Sequence, residues 1–282
     1  MKNKLSTILL IFVFLIGLSL LLYPTVSDYW NSLHQTRAIA GYAQAAAQVD
    51  NEAYDALLAQ AAEYNRTLPG KENPLIMTDQ EREEYSSLLD ISGTGIMGYI
   101  EIPQIKISLP IYHGTGESVL QTAVGHIEGT SLPVGGESTH CVLSGHRGLP
   151  SAKLFTDLDE LTAGDLFVLH VLDETLTYEV DQILIVEPED VEALGIQEGK
   201  DYCTLVTCTP YGINTHRLLV RGHRVENQKE TVRVSADAVQ IRPVVVAPMV
   251  AVPLVLFLVL AIMLRHRKRR NRQIGGKHSE TA

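Results

Sequence analysis

Cysteine is nearly absent from this chain. Three occur in 282 residues, Cys141, Cys203 and Cys208, and a set so small and odd in number excludes a disulfide framework. Cys203 and Cys208 share one apolar run at an odd separation. That puts them on opposite faces of a strand, so they are not a local redox pair. Cys141 and Cys203 read as structural thiols, because free cysteine is among the most buried residue types. Positive charge is scarce outside the tails. Between Leu5 and Leu264, 14 Lys and Arg face 32 Asp and Glu, a net of −18 against −10 for the whole chain. So acidic a body excludes nucleic acid as a partner. Zinc-ligand spacing is lacking too: His140, Cys141 and His146 fit no such pattern, and neither metal nor cofactor is expected. Gly93-Thr94-Gly95-Ile96-Met97-Gly98 fits G-x-G-x-x-G. A dinucleotide site needs that motif after a strand and before a helix. Here it precedes the apolar run 99–102, so a turn is expected.

What is present begins with two long apolar runs. Residues 8–23 follow Lys2 and Lys4, and the next five, Pro24-Thr25-Val26-Ser27-Asp28, offer no small-x-small cleavage site. An uncleaved signal anchor is expected. Residues 244–264 are long enough to cross a bilayer, and Pro248 and Pro253 within them are tolerated in membrane helices. The basic run RHRKRRNR follows directly and reads as a juxtamembrane anchor meeting anionic lipid. Positive residues before the first run and after the second place both termini in the cytoplasm and everything from about Pro24 to Pro243 outside.

Residues 31–67 are rich in Ala, Leu, Gln and Glu at helical spacing. Asp50 and Asn51 interrupt the pattern, which predicts two helices or one broken helix. Residues 68–90 are polar and breaker-rich, then charged. Short apolar or alternating runs follow at 98–102, 107–112, 140–144, 166–171, 176–186, 202–208 and 217–224, separated by Pro and Gly turns. They predict a mainly β fold, a closed or nearly closed barrel, with short helices at 117–123 and 152–158. The expected organisation is a cytoplasmic tail and anchor helix at 1–30, a helical extension and a breaker-rich segment at 31–96, a barrel at 97–226, a linker at 227–243, a second transmembrane helix at 244–264 and a basic cytoplasmic tail at 265–282.

Residues 204–221 read TLVTCTPYGINTHRLLVR. A β-branched run ends at Cys208, Pro210 and Gly212 break it, and a second run begins near Leu218: a strand, a loop and a strand. Chemistry concentrates at such strand ends. Upstream, Leu143-Ser144-Gly145-His146-Arg147-Gly148 puts a histidine at the end of another apolar run. A cysteine nucleophile needs a base near it in space rather than in sequence. The plainer reading, a buried thiol and a surface arginine, stays open at this point. His216 is a rival to His146, and Arg147, Arg221 and Arg224 are rivals to Arg217. Neighbours on a strand face opposite ways, so if Arg217 faces the site, His216 does not.

These stretches resemble the sortase family, and within it the class C, pilus-assembling branch. The likeness runs over about residues 97–225, most densely in GYIEIPQIKISLPIYHGT, GHIEGTSLPVGG, SGHRGLPSAKLFTDLD and TLVTCTPYGINTHRLLVRG. The family's Thr-Leu-x-Thr-Cys signature falls on Thr204-Leu205-Val206-Thr207-Cys208, its arginine on Arg217 and its histidine on His146. The resemblance implies an eight-stranded barrel tethered near both ends to the membrane of a Gram-positive cell. It implies a transpeptidase that cuts a Leu-Pro-x-Thr-Gly-like signal through a thioester on Cys208 and passes the acyl group to a lysine amine of a pilin protein. His146 would give a proton to the leaving amine and later take one from the lysine. Arg217 would steady the oxyanion or the substrate backbone, Thr207 would contact substrate, and the backbone N–H of Thr209 would add an oxyanion donor. The alternatives are a cell-wall-anchoring sortase that uses a peptidoglycan amine, and a non-catalytic surface assembly protein. Many class C sortases carry a lid with an Asp-Pro-aromatic triplet before the barrel. Here Asn73-Pro74-Leu75 keeps only the proline, so residues 68–90 read as either a reduced lid or a linker.

Overall fold

Eight strands close into a barrel in the computed structural model, which describes residues 2–227. They are β1 (Ile96–Ile102), β2 (Ile107–His113), β3 (Val124–His126), β4 (Thr139–Ser144), β5 (Leu166–Val171), β6 (Glu174–Val186), β7 (Asp201–Thr209) and β8 (His216–Val225). Their order around the barrel is β1-β2-β3-β4-β7-β8-β6-β5. Two pairings are parallel, β2 with β3 and β4 with β7; the others are antiparallel. Closure leaves no free sheet edge. Seven strands fall on the seven runs expected from the sequence. β3 does not, because three residues are too few to show an alternation.

The barrel is filled by side chains from alternate positions. On β7, Cys203 and Leu205 point inward with Leu143 of β4 and Val220 of β8. Phe167 and Tyr178 stack inside with centroids 5.5 Å apart, and full burial of such a ring stabilises by about 1.5–3 kcal/mol. In the glycine-rich stretch at 93–98, residues 93–95 form a turn and 96–98 already belong to β1. The expected helix at 117–123 is the shorter α4 (Glu117–Leu120). The expected helix at 152–158 is not one: that stretch is turns, with a 3-10 turn at Leu158–Glu160.

Three further helices precede the barrel. α1 (Lys2–Ala46) runs without a break through Pro24. It contains the one stretch among the described residues, Ser6–Ala46, that is long and apolar enough to cross a membrane. The second expected span, at 244–264, lies outside the described residues, as do the basic tail and nearly all of the linker before it. Beyond its apolar part, α1 lies against the barrel. The Lys153 N–H donates to Asp28 Oδ1 at 2.8 Å, Asn31 Nδ2 donates to the Ser151 carbonyl at 2.8 Å, and Gln35 Nε2 to the Thr122 carbonyl at 2.7 Å. Tyr42 is buried and bridges two strand ends, its hydroxyl donating to the Met97 carbonyl (2.9 Å) and accepting from the Leu172 N–H (2.7 Å). α2 (Asn51–Thr67) starts where the helical pattern was interrupted, because Asp50 caps it by accepting from the Ala53 N–H at 2.8 Å.

α3 (Asp79–Ser87) was not expected. A capping box starts it: Thr78 Oγ1 accepts from the Glu81 N–H, and the Glu81 carboxylate accepts from the Thr78 N–H. The hydrogen-bonded ion pair from Lys71, followed by the bonds from Thr78, lowers the Glu81 carboxyl pKa to about 2, well below its ordinary range. Residues 68–90 are therefore a docked, helix-bearing element. Tyr85 is buried against His126, their Oη and Nδ1 atoms 2.8 Å apart, and Arg82 pairs with Glu128 at 3.0 Å. Gly129 has φ +82°, and a Cβ there would lie 2.0 Å from the Pro74 carbonyl oxygen. Only glycine allows the Pro74 turn to sit that close.

Candidate active site

The outward face of β4, β7 and β8 should be polar, since it looks away from the core. Instead Val142, Val206 and Leu219 form a second, small buried cluster there, with Ile127, Leu184, Val186, Ala193 and Leu194 partly buried around it. The last two come from the loop between β6 and β7. Cys208 stands on the same face two residues beyond Val206, half-buried at the end of β7. The residue directly opposite on β8 is Arg217. Side chains paired this way across antiparallel strands start roughly 4.5–5.5 Å apart at Cβ, so the register alone brings the two side chains together at their bases.

His146 lies two residues past the end of β4, on a loop fastened to β7. The Gly145 N–H donates to the Val206 carbonyl at 3.1 Å, and Thr207 Oγ1 donates to the Gly145 carbonyl at 2.7 Å. The Phe155 N–H then donates to the His146 carbonyl at 3.1 Å, closing the loop on itself. Thus the parallel pairing of β4 and β7 carries histidine and cysteine to the same end of the barrel. Thr207 points inward and is 2% exposed. Its hydroxyl is engaged with the histidine loop. Thr209 is also buried, and its Oγ1 accepts from Arg147 Nη1 at 3.3 Å.

The rivals separate cleanly. His216 turns to another loop, with Nε2 3.2 Å from Glu187 Oε1 and Nδ1 2.9 Å from Thr215 Oγ1. Arg221 makes a two-pronged pair with Asp181 (2.9 and 3.0 Å) and lies 4.2 Å over the Tyr202 ring. Arg224 reaches the Thr177 and Thr175 carbonyls and Asn227 at the far end of β8. Arg217 Nη1 donates to the His216 carbonyl at 3.1 Å and the Asn214 carbonyl at 3.4 Å, folding over the loop that precedes β8. Among the rivals, Arg147 is the arginine that reaches the cysteine end of β7.

The three residues weighed as metal ligands point three ways. His140 pairs with the Gly195 carbonyl (3.0 Å) and Thr204 Oγ1 (2.7 Å), and burial pushes its pKa down. Cys141 faces the core, opposite Cys203 in the β4–β7 register. Burial pushes the Cys203 thiol well up, so it stays a neutral core residue. His146 is half-buried on the loop after β4. The features missed from the sequence are the outer apolar cluster and Arg147's link to Thr209. The cluster had a signal: Val142, Val206 and Leu219 are apolar at outward positions of their strands.

A family model described as a sortase domain matches residues 100–225. Sortase C1 from Streptococcus agalactiae superposes with a TM-score of 0.65 at 56% identity, covering 68% of this chain and 100% of that one. Sortase C of Streptococcus pneumoniae gives 0.62 at 46% identity, covering 68% of this chain and 97% of that one, and is described in terms of its pilin substrate specificity. A curated relative, sortase D of Bacillus subtilis (strain 168), is 34% identical over 131 residues, 45% of this chain and 63% of that one. The chain thus spans under two thirds of that curated relative's length. The chain belongs to the sortase family, whose members are cysteine transpeptidases. Within the family its structure is of the class C type.

Proposed function

We propose that this protein is a membrane-anchored cysteine transpeptidase that joins pilin subunits, with residues 97–226 as its catalytic barrel. One observation carries the reading. The register of β7 and β8 sets Cys208 against Arg217, at the same end of the barrel as the loop that holds His146.

The Cys208 thiolate attacks the threonyl carbonyl carbon of a Leu-Pro-x-Thr-Gly-like signal. Sulfur bonds to carbon, the pair moves onto oxygen, and an oxyanion forms. Arg217, with the backbone N–H of Thr209, is proposed to stabilise that charge. As the oxyanion collapses the C–N bond breaks, and protonated His146 gives its proton to the departing amine. A thioester remains. A lysine amine of a second pilin then attacks it, His146 takes a proton back, and the thiolate leaves. The product is an isopeptide bond. Thr207 acts through the histidine loop it is bonded to rather than through substrate.

The apolar run of α1 anchors the enzyme, and with the span at 244–264 gives a two-pass protein whose barrel lies outside the cell and whose termini are cytoplasmic. Anionic lipid meets the basic tail. The test supplies two amines to the purified chain with the signal peptide: a pilin-derived lysine peptide and a peptidoglycan cross-bridge amine. Product with the lysine peptide at the higher kcat/KM is expected. Product with the cross-bridge amine alone would make it a wall-anchoring enzyme.

A further inference from the structure

Arg147 is 9% exposed at its side chain, unusual for a cation. It makes three contacts on three elements. Nη2 pairs with the Asp159 carboxylate on the 3-10 turn, Nη1 donates to Thr209 Oγ1 at 3.3 Å, and the guanidinium carbon lies 5.8 Å from the Tyr211 ring centroid. Its Nε–H is buried without a partner among the described residues. Burying a cation this way costs stability unless its contacts do something else. Arg147 follows His146 directly, while Thr209 follows Cys208 directly. The side chain therefore ties the histidine loop to the strand end that bears the thiol. The next residue reinforces the tie: Gly148 has φ +74°, and a Cβ there would lie 3.0 Å from the Tyr211 ring. The loop after Cys208 packs on the loop after His146.

We propose that Arg147 is a positioning residue that sets the reach from His146 to the amine leaving Cys208's acyl group. This rests on the reading of Cys208 as nucleophile and His146 as proton donor. The arrangement needs a planar fork with several donors, which arginine has and lysine lacks.

The test compares two substrates on the full chain in detergent: a Leu-Pro-x-Thr-Gly peptide, and its ester analogue with the Thr–Gly amide replaced by a threonyl-glycolate ester. The amide must be protonated as it leaves; the ester's leaving oxygen needs that help far less. Arg147→Ala is expected to lower kcat on the amide by about 10- to 100-fold, the size of effect that a misplaced reacting group produces. KM stays within about threefold and kcat on the ester falls by less than about threefold, because the lost function is proton delivery rather than binding. Arg147→Lys is expected not to rescue. Asp159→Asn, at a half-exposed site, should show the same split more weakly, and decides alone if Arg147→Ala melts early. Equal losses on both substrates would mean a purely structural role and overturn the proposal, as would unchanged amide turnover. A wild-type chain that acylates with neither substrate overturns the acyl-transfer reading and this inference with it. Wild-type turnover with no split in the variants removes the inference alone.

Discussion

Cys208 and Arg217 are nine residues apart in sequence and directly opposite in space. That proximity follows from two strands and a short loop, which is why the pair was legible. His146 was legible for a different reason: it ends an apolar run that had to be a strand, and its motif matched. Arg147 was not, because its importance lies in contacts to Thr209, Asp159 and Tyr211 that no local spacing encodes. Thr207 shows the same limit. It was expected to touch substrate, yet its hydroxyl is spent on the Gly145 carbonyl. Thr207→Val removes that bond at nearly constant shape and should cost about 1 kcal/mol, read as a lower melting temperature, together with slower acylation. Unchanged acylation would detach Thr207 from the site. His140 gives a pH prediction. Its folded pKa is depressed by burial, so the unfolded chain takes up its proton first. Its contribution is complete above about pH 6.5, the unfolded value, and is lost as pH falls below it. Denaturant titrations from pH 7 to pH 5 should show falling stability, with a shallower decline in His140→Gln. Parallel curves for the two proteins would remove His140 as the cause.

At the level of elements, the strands were readable wherever burial on one face forced an alternation, and unreadable where the strand was as short as Val124–His126. α3 went unseen because its acidic run, Asp79 to Glu84, looks like a solvated linker; the capping box Thr78-x-x-Glu81 was the overlooked sign. α3 buries one ring against the barrel, that of Tyr85. Tyr85 Oη pairs with His126 Nδ1 at 2.8 Å and accepts from the Gly114 N–H at 3.1 Å. Tyr85→Phe leaves both buried groups short of a partner and should cost about 1–3 kcal/mol, with faster hydrogen exchange in residues 79–87. Exchange that stays at the wild-type rate would show that α3 is held elsewhere. The expected helix at 152–158 failed for a related reason: the segment is committed to α1, through the bonds of Asp28 and Asn31 to Lys153 and Ser151.

Across the whole molecule, α1 joins the membrane-crossing candidate to the barrel without a hinge. Asp28 lies five residues beyond Tyr23, a rise of about 8 Å along a helix. It bonds the segment that closes back on His146 through Phe155. α1 therefore braces the loop that bears His146. Paired substitution Asp28→Ala with Asn31→Ala is expected to speed hydrogen exchange at 149–155 and to slow transpeptidation several-fold, with the barrel strands protected as before. Unchanged exchange in that loop would limit α1 to tethering. The central claim is that Cys208 carries the acyl group. The most direct measurement is mass spectrometry of the protein mixed with a Leu-Pro-x-Thr-Gly peptide. An adduct of the mass of the threonyl-terminated fragment on the peptide containing Cys208, lost in Cys208→Ala and strongly reduced in His146→Ala and Arg217→Ala, is the predicted result. An adduct on Cys141 or Cys203, or a Cys208→Ala protein that still cleaves the signal, would contradict it.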